Sequence, residues 1–246
     1  MTATRRVLAY ARFEAIGILR NGEQLLVAVV LPALALLGLG VATVVSLPLD
    51  GTNRIDLIAP GVLALAIMSS SFTSQAIATA FDRRWGVLRQ LSTTPLGPRG
   101  IVLGKVLAVL AVQVLQVVAL SGLAVAVGWR PDLGGLGAAL LTWVLGSICF
   151  TSLGLLVAAR LRAEAVLAVA NLLWLALAAI GGLVLPADGD TRFAVPLASW
   201  LPSGALGDAM RAALVDGAFA EVALVVLAAW TVACLAAAAR WFRPTE

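Results

Sequence analysis

Six apolar runs, at about residues 25–46, 57–80, 101–127, 133–159, 165–185 and 221–241, limit what this chain can become. A helix needs about 20 apolar residues, at 1.5 Å rise each, to cross roughly 30 Å of hydrocarbon. Every run reaches that length. The chain is 61% hydrophobic and 12% charged, where a soluble domain has about 45–50% and about 25%. The expected fold is all-α and integral to the membrane, with six transmembrane helices in a single domain over 1–246. Some 24 mixed residues precede the first run, which is itself longer than the roughly 7–15-residue core of a signal peptide. No cleaved leader is expected.

Cys149 and Cys234 both fall inside apolar runs, where free cysteine packs as a small hydrophobe. There is no histidine. That excludes haem ligation by His, an HExxH zinc site and a Ser-His-Asp triad.

Basic residues in short loops mark the cytoplasmic side. Arg5, Arg6, Arg12 and Arg20 precede the first run, and Arg83, Arg84, Arg89, Arg99 and Lys105 surround the second connection. Arg160 and Arg162 follow the fourth run, and Arg240 and Arg243 the sixth. Only Arg54, Arg130, Arg192 and Arg211 fall on the other side. Eight acids, from Asp50 to Glu221, share that Arg-poor side. Both termini are therefore expected inside, and the net charge of +4 reflects this asymmetry rather than a nucleic-acid partner. Within residues 1–24, Val7, Leu8, Ala11, Ala15, Ile18 and Leu19 cluster on one face at 100° per residue, with Arg5, Arg12 and Arg20 roughly opposite. This predicts an interfacial helix along the inner leaflet of the bilayer.

The second connection, over 81–100, carries more than charge. Phe81, Trp85 and Leu88 recur at i, i+4 and i+7, predicting a short amphipathic helix with Asp82, Arg83, Arg89 and Gln90 on its other side. Pro95 and Pro98 prevent one continuous helix. A basic loop that only sets topology needs none of this patterning, whereas a short helix projecting from the membrane suits docking in a groove of a soluble partner.

The run Asp82-Arg83-Arg84-Trp85-Gly86-Val87-Leu88-Arg89-Gln90-Leu91-Ser92-Thr93-Thr94-Pro95-Leu96, followed by Gly104-Lys105, resembles the intracellular signature of type-2 ABC transporter permeases, which include daunorubicin-resistance-class drug exporters. Asp82 stands where Glu is more usual. The resemblance extends over the whole chain, to Leu201-Pro202 and Ala209-Met210-Arg211 in the fifth-to-sixth connection. It implies a cytoplasmic coupling helix that docks on an ABC ATPase subunit through Phe81, Asp82, Arg83, Arg84, Trp85, Gly86, Leu88, Arg89, Leu91, Thr94 and Pro95. It also implies a second permease subunit, a copy or a paralogue, in a bacterial plasma membrane. No cofactor is expected in this chain, because ATP and Mg²⁺ would sit on the partner. Gly100-Ile101-Val102-Leu103-Gly104-Lys105-Val106 is no phosphate loop: its glycine spacing is one short, and Val106 replaces the Mg²⁺-holding hydroxyl. Gly104 is read as a packing residue and Lys105 as a lysine reaching up to the interface.

Ser70, Ser71, Ser74, Gln75, Gln113, Gln116 and Asn171 interrupt the runs. Such groups are expected to face the bundle, either pairing helices or lining a substrate path. Trp129, Trp143, Trp200, Trp241 and Trp85 are expected mostly near span ends, with Trp174 deeper against another helix. Residues 186–216 read as an external re-entrant or surface hairpin, with Trp200, Pro202 and Arg211 as gate candidates. The leading function is the membrane subunit of an ATP-driven exporter of drug-like molecules, lipids or glycolipids. A secondary carrier is disfavoured because no Asp, Glu, Lys or Arg is read deep in a span. A membrane enzyme of lipid metabolism is disfavoured by the missing histidine and acidic cluster.

Overall fold

The structure is a computed structural model and describes residues 2–41, 53–184 and 198–241. Among these residues every regular element is helical: α1 (Ala3–Arg20), α2 (Gly22–Val41), α3 (Arg54–Met68), a π-helical turn (Ser69–Thr73), α4 (Ser74–Arg84), α5 (Val87–Ser92), α6 (Gly97–Ala126), α7 (Leu136–Arg160), α8 (Ala163–Ile180), α9 (Pro202–Val215) and α10 (Glu221–Trp241). Five continuous helical stretches are long and apolar enough to cross a membrane: Arg54–Arg84, Gly97–Ala126, Leu133–Arg160, Ala163–Ile180 and Glu221–Arg240. They fall on five of the six expected runs. On the first run lies α2, whose apolar part, Ala28–Gly40, is shorter. The end of that expected run and residues 186–197 of the expected external hairpin lie outside the described residues.

The second span occupies the middle of the bundle, and most of α3 is buried. Its π-helical turn coincides with a serine run. Ser69 Oγ donates to Leu65 O at 2.7 Å and Ser70 Oγ to Ala66 O at 2.9 Å. Hydroxyls that bond back onto their own helix compete with the backbone ladder and bend it. Met68, Phe72 and Phe150 are fully buried beside this turn in the main core.

Two helix ends differ from expectation. The stretch at 81–100 does not hold one helix beginning at Phe81, because α4 runs on through Arg84. Gly86, at φ +77°, then reverses the chain in the left-handed region open to glycine. Only Val87–Ser92 forms the separate short helix α5. The apolar stripe of α1 also divides: Ala11 and Ala15 are buried, and Tyr10 from outside the stripe is buried with them, while Leu8 and Leu19 are exposed beside Arg12. Packing selects the small and aromatic residues because α6 approaches α1 closely at Gly104.

α9 is too short to span, at 14 residues, yet 11 of them are buried. Pro202 starts it at the first helical position, where a missing N–H costs nothing. Arg211 pins it to the end of α8, donating to Leu183 O at 3.0 Å and Gly182 O at 3.1 Å, and pairing with Asp208 at 2.6 Å. These carbonyls follow the last turn of α8 and lack helical partners of their own.

Close backbone contact makes one position in α3 intolerant. A Cβ on Gly61 would lie 2.7 Å from both Leu183 O and Val184 O. Gly61→Val is therefore expected to separate α3 from the α8–α9 junction and lower the detergent melting temperature sharply. Gly38→Val, where a Cβ meets nothing within 4 Å, should leave it almost unchanged. Equal melting temperatures for the two variants would contradict this packing.

Candidate functional site

At one end of the bundle α1, the end of α4, α5 and the start of α6 converge. The convergence is built around Lys105, which is 0% exposed. Its Nζ lies 2.9 Å from Glu14 Oε1 on α1 and 3.0 Å from Asp82 Oδ2 on α4. A buried ammonium is costly unless it is paired and hydrogen-bonded, and here two carboxylates from two helices do both. Lys105 therefore does not reach up to the interface as the sequence suggests.

The residues around Lys105 explain the Gly-Lys pair. A Cβ at Gly104 would collide with the Tyr10 ring, so glycine admits α1 at this point. Tyr10 and Glu14 are one turn apart on α1, and the Tyr10 hydroxyl donates to Glu14 Oε1. Burial, then the negative charge of Glu14, push the Tyr10 phenol up, keeping it the donor. Glu14 thus receives hydrogen bonds from both Tyr10 and Lys105. Sequence reading set Tyr10 on the polar face of the N-terminal helix and passed over Glu14, although their spacing of four, and the uniqueness of this tyrosine and this lysine in the chain, were visible signals.

The stretch at 81–100 is held to the bundle at several points. Arg83 donates to Ala159 O at 2.7 Å and to Leu161 O, tying α4 to the end of α7. Arg84 pairs with Glu164 at the surface. Arg6 donates to Pro95 O at 2.5 Å, linking α1 to the turn after α5. Thr94 Oγ1 donates to Leu91 O at 2.6 Å and closes that turn. Leu88 is fully buried with Tyr10, Ile101, Val102 and Leu155, and Leu91 packs partly against them. Leu88 is thus no projecting anchor: the reversal at Gly86 turns it inward. Trp85 points the other way, 71% exposed, with the Phe81 ring tilted against it at 5.3 Å between ring centres. Arg89, Thr94 and Pro95 are exposed with it, and Asp82 is engaged with Lys105.

The polar residues of the spans meet mainly at Gln113 of α6. Its Nε2 lies 2.8 Å from Ser70 Oγ, 2.8 Å from Ser71 Oγ and 3.1 Å from Ile67 O, while its Oε1 accepts from Trp143 Nε1 at 2.8 Å and Ser147 Oγ at 2.7 Å. Trp143 therefore belongs to the interior rather than to a span end. Trp174 Nε1 donates to Ser69 Oγ at 2.8 Å, facing another helix as expected. Gln116 Nε2 reaches Ala28 O of α2 at 2.6 Å. Ser74 bonds only weakly, to Ser69 O at 3.4 Å. Gln75 is buried, and its Oε1 has no hydrogen-bond partner among the described residues. Asn171 faces outward and donates to Leu167 O of its own helix, contrary to expectation. At the opposite end of the bundle Trp200 is exposed and Pro202 and Arg211 are buried.

Residues 26–240 match the family described as ABC-2 family transporter protein. The chain belongs to the ABC-2 transporter family. The match takes in every candidate span, the Lys105 junction except α1, and α9. No curated protein matches the chain. As an ABC-2 membrane domain the chain is a non-catalytic, multi-pass transport subunit, and the family implies an ATPase partner.

The Lys105 junction gives a direct test. Lys105→Met in this ABC-2 chain leaves Glu14 and Asp82 facing each other without their cation, and breaking a buried ion pair on one side costs about 3–5 kcal/mol. Thermal unfolding in detergent should drop markedly. Adding Glu14→Gln and Asp82→Asn should recover part of the loss, since neutral groups no longer repel. An unchanged melting temperature for Lys105→Met would mean the three charges do not interact.

Proposed function

We infer that this chain is the permease subunit of an ATP-driven ABC exporter, in which the stretch at 81–100 docks on a separate ATPase subunit. ATP and Mg²⁺ are assigned to that subunit. The observation carrying the reading is Trp85: a large aromatic held out at the tip of a segment that is otherwise fastened to the bundle. Arg83, Lys105 and the buried Leu88 stiffen its base, so force applied at Trp85 reaches α1, α4 and α6 together. Phe81, Gly86 and Leu91 shape this projection, and Arg84, Arg89, Thr94 and Pro95 form its polar rim.

The positive-inside asymmetry supports placing this end, and both termini, on the cytoplasmic side of a bacterial plasma membrane. α9 then lies toward the outside, where Arg211, Pro202 and Trp200 are assigned to an outer gate, in the external segment expected to be a re-entrant or surface hairpin. A hydrophobic or amphipathic cargo, drug-like or lipid-like, would move outward past it. Only Ala163, Val166 and Ala170 of α8 are buried, which supports pairing with a second permease subunit along that helix. The bonds made by Gln113, Ser70, Ser71 and Gln116 favour helix packing as the role of the polar stripe.

The test separates Trp85 from Leu88. Trp85→Ala should leave membrane abundance and melting temperature intact while the ATPase activity that co-purifies with the tagged chain from its native membranes falls. Leu88→Ala instead removes a packed core side chain, at about 2–5 kcal/mol, and should lower stability first. Full ATPase co-purification and unchanged efflux with Trp85→Ala would reduce the stretch to a basic topology loop.

A further inference from the structure

Two polar residues of the second span are not used by the packing described above. Gln113 and Gln116 bond across helices, to Ser70 Oγ and Ala28 O, but Ser74 and Gln75 at the start of α4 do not. Ser74 Oγ reaches only Ser69 O of its own stretch, at 3.4 Å. Gln75 is 2% exposed, and its Oε1 has no hydrogen-bond partner among the described residues. A carboxamide oxygen buried without a donor is unfavourable, and no water relieves it in hydrocarbon. Both residues follow the π-helical turn, where the Ser74 N–H bonds to Ser69 O. That bond adds a residue to the turn, a distortion found frequently at functional sites.

Both residues line one recess. A cavity of about 210 Å³ lies between α1, α2, α4 and α6, with Ser70, Ser74, Gln75 and Gln116 in its lining. Ile18, Val29, Val109, Val112, Leu115 and Ala119 give it apolar walls. Among the described residues no charged side chain lines it. Gln75, Val109 and Val112 are buried, whereas Leu115 and Ala119 are exposed, so the recess opens beside α6 and deepens towards Gln75. Leu115 and Ala119 stand well inside the Gly97–Ala126 span. The mouth therefore faces hydrocarbon, not water.

We propose that this recess binds a small, neutral, membrane-soluble molecule carrying a hydroxyl, which donates to Gln75 Oε1 with Ser74 Oγ beside it. The ligand is neutral because the lining offers no counter-charge, and an unpaired charge at this depth is costly. It is small because an apolar cavity of about 150 Å³ holds a benzene ring, so a slightly larger one suits a ring or a short chain rather than a whole phospholipid. It brings a donor because an acyl tail lodged here would leave the Gln75 oxygen as bare as before. It enters sideways from the bilayer, past Leu115 and Ala119. A single copy of the chain supplies every lining residue, so binding needs neither an ATPase nor a second permease.

The probe is a photoreactive diazirine derivative of octanol, added to the purified full chain in phosphatidylcholine nanodiscs, with the labelled residues located by mass spectrometry. Labelling should saturate and concentrate on α4 around Gln75 and on α6 between Val109 and Ala119. At equal concentration in the bilayer, unlabelled octanol should displace the probe at least about fivefold better than heptyl methyl ether, which has as many heavy atoms but no donor. Gln75→Leu keeps the bulk and removes the acceptor. It should erase that preference while labelling persists, and the melting temperature should hold or rise because a bare polar atom has gone. Ala119→Phe, at an exposed position, should close the mouth and abolish the labelling. Labelling that does not saturate, that spreads evenly over lipid-facing residues, or that survives Ala119→Phe would overturn the site. Equal displacement by alcohol and ether in the parent, or a preference that survives Gln75→Leu, would overturn the hydrogen-bond assignment. Because no readout involves transport or ATP, failure here leaves the exporter reading standing, and failure of that reading leaves this site standing.

Discussion

A single ammonium group, fully buried where a membrane span begins, sets the arrangement of this end of the molecule. Lys105 cannot stay charged there without carboxylates at hydrogen-bonding distance, and both come from elsewhere in the chain: Glu14 from α1 and Asp82 from α4. Satisfying one cation therefore fixes the positions of two helices relative to a third. The neighbouring glycine makes this possible, since any side chain at 104 would push Tyr10 and α1 away. Leu88 then fills the space left between Tyr10, Ile101 and Leu155.

The same demand for satisfied polar groups organises the middle of the bundle. In hydrocarbon no water relieves a bare amide, so Gln113 draws partners from α3, the π-helical turn and α7. Such contacts are modest individually, averaging about 0.6 kcal/mol across membrane helices. Their direction matters more than their strength: they fix which faces meet. Gln75 Oε1, Thr79 Oγ1, Thr151 Oγ1 and Ser152 Oγ are buried without hydrogen-bond partners among the described residues. Buried polar atoms of that kind, here on α4 and α7, mark sites of water or of rearrangement.

At the other end close backbone approach replaces charge as the organising device. α9 fits among α3, α7 and α10 because Gly61 and Gly135 bring helix backbones to within touching distance of carbonyls at 183, 184 and 213. Arg211 then satisfies the carbonyls that the end of α8 leaves open. The two ends of the molecule thus differ in kind: one is a fastened projection with an exposed tryptophan, the other a buried short helix.

The run lengths alone imposed the membrane class and the positions of five spans, because spanning is a property of consecutive residues and needs no partner. The stretch at 81–100 was equally legible as a special segment, since charge, aromatic spacing and prolines are local patterns. The identity of its anchors was not. Helical spacing put Trp85 and Leu88 on one face, but a left-handed turn at Gly86 rotates one away from the other, and only the packed chain reveals it. Lys105 read as an interfacial lysine because its partners lie 91 and 23 residues away along the chain. Asn171 read as facing inward because an amide in a span calls for a partner on another helix, whereas it bonds to Leu167 O of its own helix and faces out. Periodicity reports what a segment can bury, whereas which neighbour it is buried against is decided by contacts between residues far apart in sequence.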